Sequence, residues 1–170
     1  YDSYVFDKSI LDLNILSFES NDSCNDCGAP KPDWVSLDFG VLICMQCCGR
    51  HRGFGSHITR VKSLKLDHWK DLKVEQRYLL EGGNKRFQDY IESLGGEVGN
   101  DVLRGDSTST RVRTHSGSSW GSAKQLYNSS EILYYREILQ ARVENRQPRS
   151  LYEFLSSNPS GDSSGVLSDG

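Results

Sequence analysis

A chain of 170 residues that is 36% hydrophobic with a net charge of −3 reads as one domain with tails, long enough to bury a core. No apolar run approaches the roughly 20 residues of a bilayer span, so no segment is expected to cross a membrane, and a pI near 5.8 argues against binding polyanions over the whole surface. The mean hydropathy of −0.57 is polar for a packed domain. Part of the length is therefore expected outside the core, and a chain that opens on Tyr1 rather than Met is expected to be a piece of something longer.

Residues 1–7 read as an N-terminal tail. Between Asp7 and Phe18, Leu11, Ile15 and Phe18 recur at helical spacing and predict a short helix. A polar run, Glu19–Ser23, leads into Cys24-Asn25-Asp26-Cys27-Gly28, where the glycine suits a tight turn needing positive φ. The prolines of Ala29-Pro30-Lys31-Pro32-Asp33 predict a further turn. Trp34–Phe39 and Val41–Ile43, split by Gly40, read as strands, and Arg60–Leu66 as a third. Helices are expected over Trp69–Glu81, broken by Gly82-Gly83, and over the stripe Phe87, Tyr90, Ile91, Leu94, with Asn84 as its cap and Gly95-Gly96 as its end. The Gly/Ser/Thr-rich stretch 105–122 cannot bury enough apolar surface to order itself and reads as a disordered insertion. Asn128-Ser129-Ser130-Glu131 has capping-box spacing ahead of the stripe Ile132, Tyr135, Leu139, Val143, with Pro148 expected to end that helix. Residues 148–170 read as a disordered tail. The fold class that results is α+β: a small three-stranded sheet beside a metal site, flanked by helices that bury its face.

Cys24, Cys27, Cys44 and Cys47 form two CxxC pairs separated by sixteen residues (28–43). Each pair turns two thiolates toward one point, and two pairs complete the tetrahedron Zn²⁺ prefers. Five cysteines are an odd number for a disulfide framework. Iron also accepts four sulfurs, but nothing in the sequence suggests electron transfer. A closed four-sulfur shell has no position for water or substrate, so a single zinc ion is expected to hold the fold and do no chemistry. Cys48 neighbours a ligand and is expected to be a small buried thiol, while His51 and His57 are expected to hydrogen-bond locally.

From Arg50 to Lys65 the chain has five arginines and lysines and no acid. A short basic element stapled by zinc has two uses for phosphate: contact with a nucleic-acid backbone, or delivery of an arginine to a nucleotide held by another protein. The local character of the charge favours a docked protein. Arg50 and Arg52 are equal candidates on this reasoning, and residues two apart on a helix do not face the same point.

The pattern C-x2-C-x16-C-x2-C-x4-R, followed by Gly53-Phe54-Gly55-Ser56-His57 and Val61-Lys62-Ser63-Leu64-Lys65-Leu66-Asp67-His68-Trp69, resembles the Arf GTPase-activating protein (ArfGAP) domain. Cys48-Gly49-Arg50-His51-Arg52-Gly53-Phe54-Gly55 with Trp69-Lys70-Asp71 and Gly82-Gly83-Asn84 is most similar to its Golgi-type subfamily. The resemblance runs over residues 8–94 and resumes near 127–143, placing a zinc-finger domain at 8–147. It implies a GATA-like four-cysteine zinc finger and an activator that supplies an arginine finger in trans to a GTP-bound Arf-family GTPase, with no stand-alone catalysis. The family's finger follows the last zinc cysteine after four residues, which is Arg52, and leaves Arg50 for docking or structure. Trp34, otherwise a packing residue, corresponds to a tryptophan that supports the region meeting the GTPase. Asp67, otherwise a helix cap, corresponds to an aspartate linked to activity. The resemblance further implies a cytoplasmic protein in vesicle traffic, recruited peripherally to Golgi membranes, with coat proteins as further partners and no nucleic acid. A nucleic-acid-binding finger and a catalytically silent adaptor are the competing readings.

Overall fold

Three antiparallel strands, β1 (Trp34–Ser36), β2 (Val41–Ile43) and β3 (Val61–Ser63), lie in the order β2-β1-β3 at the centre of the computed structural model, which describes residues 15–67, 69, 72–94, 112–113, 119–120 and 123–157. Strand β1 pairs with β2 through Trp34↔Ile43 and with β3 through Trp34↔Ser63. The β-branched residues Val35, Val41, Ile43 and Val61 suit these strands, and β2 is buried along its whole length. The first strand is shorter than its sequence suggested. Leu37–Phe39 coils into a 3-10 turn that buries both Leu37 and Phe39. Gly40, at φ 64, closes that turn by donating to the Leu37 carbonyl. The third strand is also cut short, because Ser63 Oγ accepts from the amides of Lys65 and Leu66 and curls the chain away.

Helix α1 (Met45–Phe54) leaves β2 through Cys44. Helices α2 (Leu72–Glu81) and α3 (Asn84–Ser93) follow, then α4 (Ala123–Tyr127), α5 (Ser130–Val143) and α6 (Leu151–Ser157). An aromatic cluster joins them: Tyr127 stacks on Phe87 with ring centres 5.6 Å apart and meets Phe39 edge-on at 5.0 Å.

Several local expectations are corrected. Asn84 is the first residue of α3 rather than its cap, a place taken by Gly83 at φ 104. Its fully buried side chain accepts from the Leu42 amide (2.7 Å) and donates to the carbonyls of Ser23 (2.8 Å) and Ser20 (3.0 Å). The cap of α5 is Ser129, which accepts from the Ile132 amide, and not Asn128. That helix ends well before Pro148: Asn145 adopts φ 56, its amide reaches the Arg142 carbonyl, and Arg146 reaches Ala141. This is a left-handed termination with asparagine in the usual glycine place.

The expected 148–170 tail is wrong over its first part. Residues 151–157 form α6, whose Phe154 is buried against Tyr134, and the Glu137 carboxylate anchors its approach by accepting from the Arg149 amide and guanidinium. A helical stripe too short to read in the sequence is fixed by this tertiary contact. The expected N-terminal helix has only Ile15–Phe18 among the described residues, with Ile15–Ser17 as a 3-10 turn. The expected insertion at 105–122 also falls largely outside them; its four described residues pair as Val112–Arg113 with Ser119–Trp120. Among the described residues, no helix is long and apolar enough to cross a membrane.

Candidate metal centre and basic helix

The first CxxC pair is folded by its own backbone. The Cys24 amide donates to the Ala29 carbonyl (2.7 Å) and the Gly28 amide returns to Cys24 (2.9 Å), with Gly28 at φ 80. The Asn25 amide donates to Leu42, tying this knuckle to the outer edge of β2. The second pair opens α1: Cys44 is its cap, and its sulfur accepts from the Cys47 amide. The four sulfurs lie within 4.8 Å of one another. Tetrahedral zinc with bonds of roughly 2.3 Å spaces its sulfurs at about 3.8 Å, so the set fits that ion. The Cys44 amide also points at Cys24 Sγ (3.2 Å), a bond that favours the thiolate. The hydrogen bond from Cys47 draws the Cys24 thiol down to about 5 while pushing Cys47 up. Cys48 is buried, as expected, and stands outside the group of four.

Helix α1 divides into two faces. Cys47, Cys48, His51 and Phe54 are buried, whereas Arg50 and Arg52 are exposed. Gly49 and Gly53 lie between the two arginines on the outer face, and a Cβ at either would meet nothing within 4 Å. At 100° per residue the arginines flank this bare strip from opposite sides, roughly 160° apart. The Arg52 guanidinium lies over the Trp34 ring, 4.9 Å from its centroid. Trp34 is only half-buried, so one face of the indole is a platform for the arginine.

Asp67 is exposed and does not cap a helix. Its carboxylate accepts from the Ser63 amide (2.7 Å) and closes the turn after β3; α2 begins five residues later. Structure thus brings Arg52 and Trp34 together, sets Arg50 on the other flank of α1, and leaves Asp67 in the β3 turn. The expectation that His51 bonds locally is corrected: its ring partners, Asp26 and Ser36, come from the first knuckle and from β1, and form a buried set. The His51 Nε2 lies 2.6 Å from Asp26 Oδ2 and its Nδ1 2.9 Å from Ser36 Oγ. Ser36 Oγ in turn lies 2.7 Å from Thr59 Oγ1. The Tyr127 hydroxyl donates to Asp26 Oδ1 (2.5 Å). Burial pushes the Asp26 carboxyl up, but the His51 charge and hydrogen bonds from His51, Tyr127 and Asn25 outweigh it and hold the group low. Sequence reasoning passed over Asp26, although an acid between two thiolates signals a buried charge in need of a partner.

A four-cysteine metal-binding α+β domain with an exposed arginine helix is the class these features define. The family model described as "Putative GTPase activating protein for Arf" matches residues 11–128, so the chain belongs to the ArfGap family. The chain is 43% identical over 81 residues to the Arabidopsis thaliana ADP-ribosylation factor GTPase-activating protein AGD12, which covers 48% of this chain and 24% of the relative. It is 43% identical over 86 residues to the human Arf-GAP with dual PH domain-containing protein 2, covering 51% and 22%. The match thus spans about a quarter of the length of these two relatives. A crystal structure of a "putative GTPase activating protein for ADP ribosylation factor" from Cryptosporidium parvum superposes with a TM-score of 0.59 at 25% identity, covering 80% of this chain and 90% of that one.

Proposed function

We propose that this domain accelerates GTP hydrolysis on a GTP-bound Arf-family GTPase by supplying Arg52 in trans. The observation that carries the reading is Arg52 itself, exposed on a helix whose first turn holds two metal ligands and preset by the Trp34 ring. Hydrolysis spreads negative charge over the γ-phosphate oxygens, and a guanidinium offers a permanent charge with a planar fork of donors. Such a finger is worth roughly 10³–10⁵ in rate in measured GTPases. The nucleotide, its Mg²⁺ and the attacking water belong to the partner, so the domain alone hydrolyses nothing. Zinc in the Cys24, Cys27, Cys44, Cys47 shell supplies rigidity and no reacting position.

Gly49 and Gly53 leave the helix surface bare beside Arg52, which supports close approach by a partner's surface. Arg50 serves docking from the other flank, and Asp67 acts by holding the β3 turn. The unit extends over 8–147, and α6 is packed onto its closing helix. Golgi-type character, with cytoplasmic residence, recruitment to Golgi and vesicle membranes and contact with coat proteins, rests on the wording of residues 48–55. A fluorescent fusion of the chain that stayed diffuse in cells with active Arf would count against that recruitment.

The activity is tested by single-turnover GTP hydrolysis on purified Arf with this domain, Arg52→Lys and Arg50→Lys. A large acceleration abolished by Arg52→Lys alone is expected. If Arg50→Lys alone destroyed it, the finger would be Arg50; no acceleration by the zinc-loaded domain on any Arf would sink the activity.

A further inference from the structure

Beyond the metal shell, α1 is attached to the domain by one buried polar relay. It runs from Thr59 through Ser36 and His51 to Asp26, then to Tyr127 and Asn25. Asp26, His51 and Ser36 are fully buried, and Thr59 and Asn25 nearly so. Asn25 Nδ2 donates to the Tyr127 hydroxyl (3.1 Å), and Gln88 Nε2 donates to Asn25 Oδ1 (3.2 Å). The relay links the first zinc knuckle, β1, α3 and α4, and α1 enters it through His51, which directly precedes Arg52.

Zinc fixes only the first turn of α1, through Cys44 and Cys47. Arg52 lies more than a turn further on, roughly 7 Å along the axis at 1.5 Å per residue. Two conditions fix where its guanidinium points: the rotation of that second turn, and the Trp34 platform. The two hydrogen bonds made by the His51 ring, to Asp26 and Ser36, hold that rotation. Its aromatic contacts with Tyr127 (4.5 Å) and Phe54 (4.9 Å) fill the remaining space without the directionality of hydrogen bonds. Asp26 is held from both sides, by His51 on one oxygen and Tyr127 on the other, so it cannot follow the helix if α1 rolls.

We propose that Asp26 and His51 are positioning residues for the arginine finger, with Tyr127 locking Asp26 from the C-terminal half of the domain. The inference rests on the reading of Arg52 as the finger. A buried acid inside a zinc knuckle would otherwise be a costly choice, since a neutral residue would avoid a charge beside the thiolates. Here the carboxylate gives a short, directional bond to the turn that carries Arg52.

The test uses the zinc-loaded chain with Asp26→Asn, Tyr127→Phe and His51→Gln, each also made in an Arg52→Lys background. Misplacing a reacting group by about 1 Å costs roughly 10²-fold. Asp26→Asn is therefore expected to lower the kcat of domain-stimulated GTP hydrolysis on Arf on the order of 10²-fold with KM for GTP-bound Arf held within about threefold. Tyr127→Phe, which keeps the ring and removes one hydroxyl, is expected to lose several-fold. His51→Gln, able to present an N–H toward Asp26, is expected to retain more activity than Asp26→Asn. In the Arg52→Lys background the further loss should vanish, because the finger they position is gone. NMR of the Arg52 Nε–H and the Trp34 indole N–H gives an activity-independent view of the same placement, and both resonances should move in Asp26→Asn.

Equal losses in both backgrounds, or a loss confined to KM, would reduce Asp26 to a structural residue and overturn the proposal. So would unmoved Arg52 and Trp34 resonances in folded variants. Should Asp26→Asn fail to hold zinc, Tyr127→Phe decides: unchanged kcat refutes the relay, and a kcat-only loss dependent on Arg52 supports it. If Arg52→Lys itself were fully active, the finger assignment would fail, while the resonances would still decide whether Asp26 places Arg52.

Discussion

Replacing Asn84 with alanine is expected to be among the most damaging single changes outside the zinc shell. β2 is an edge strand of the sheet, and the Asn84 side chain satisfies the outward Leu42 amide that another strand would otherwise pair. Its amide nitrogen meets the carbonyls of Ser20, Ser23 and Leu42 at 3.0, 2.8 and 3.3 Å. Leu42 O retains the Asn25 amide, so truncation orphans chiefly the Leu42 N–H and the Ser23 carbonyl. At roughly 1–3 kcal/mol for each buried unpaired group, the loss should be about 2–6 kcal/mol, a large share of a typical domain stability of about 5–15 kcal/mol. Asn84→Asp should be no better at neutral pH, because its second oxygen would face three carbonyls. The assay is urea unfolding at saturating zinc, followed by circular dichroism and tryptophan fluorescence. A loss below about 1 kcal/mol for alanine, or a harmless aspartate at pH 7, would refute the account of Asn84 as the seal on the β2 edge.

Chelation of zinc is expected to unfold the chain, since structural zinc contributes about 10–16 kcal/mol in finger peptides at pH 7; loss of helical circular dichroism with release of one ion per chain checks this. Glu137, whose side chain is 1% exposed, is pushed up by burial but held down at about 2 by Arg146 and Arg149. The depressed folded value makes its contribution complete above the unfolded value near 4.5 and lost as pH falls toward 2. The shift corresponds to at most about 3 kcal/mol, and to roughly 1–2 kcal/mol after screening, as the two arginines are 36% and 43% exposed. Unfolding free energies from urea titrations of the parent and Glu137→Gln should differ by that amount at pH 7, with the gap starting to close below about 4.5. Gly53→Ala should raise stability by about 0.5–1 kcal/mol, because helix interiors disfavour glycine and a Cβ there has open space. If the bare strip admits the GTPase, the same change raises KM for GTP-bound Arf; unchanged KM would leave the glycines without a docking role.

Much of the metal site and sheet could be read from the chain because each obeys a local rule. CxxC spacing dictates where four sulfurs converge, and short β-branched runs around Gly40 predict paired strands. The apolar stripes of α3 and α5 were equally plain, as Phe87, Ile91, Ile132 and Leu139 repeat at helical intervals. What escaped the sequence depends on distant partners. Asn84 looks like a cap until Leu42, Ser20 and Ser23 surround it. Helix α6 is too short to announce itself and depends on Glu137 and Tyr134. Asn145 ends α5 by a backbone conformation that composition assigns only weakly, so Pro148 drew the attention instead. Asp26 is an acid in a knuckle until His51 and Tyr127 arrive from residues far along the chain.

Tyr127 also has a meaning for how such a domain can diverge. It fills the centre of the aromatic cluster from the far side of residues 95–122, so both ends of that stretch are moored to the same core, by Ile91 and Phe87 before it and by Leu126 and Tyr127 after it. Closing a loop between fixed moorings costs free energy that rises only with the logarithm of its length, about 0.6 kcal/mol per doubling. With Tyr127 seated on its cluster, the number of residues between the two moorings is therefore a weak lever on stability, each doubling costing less than one buried methyl group.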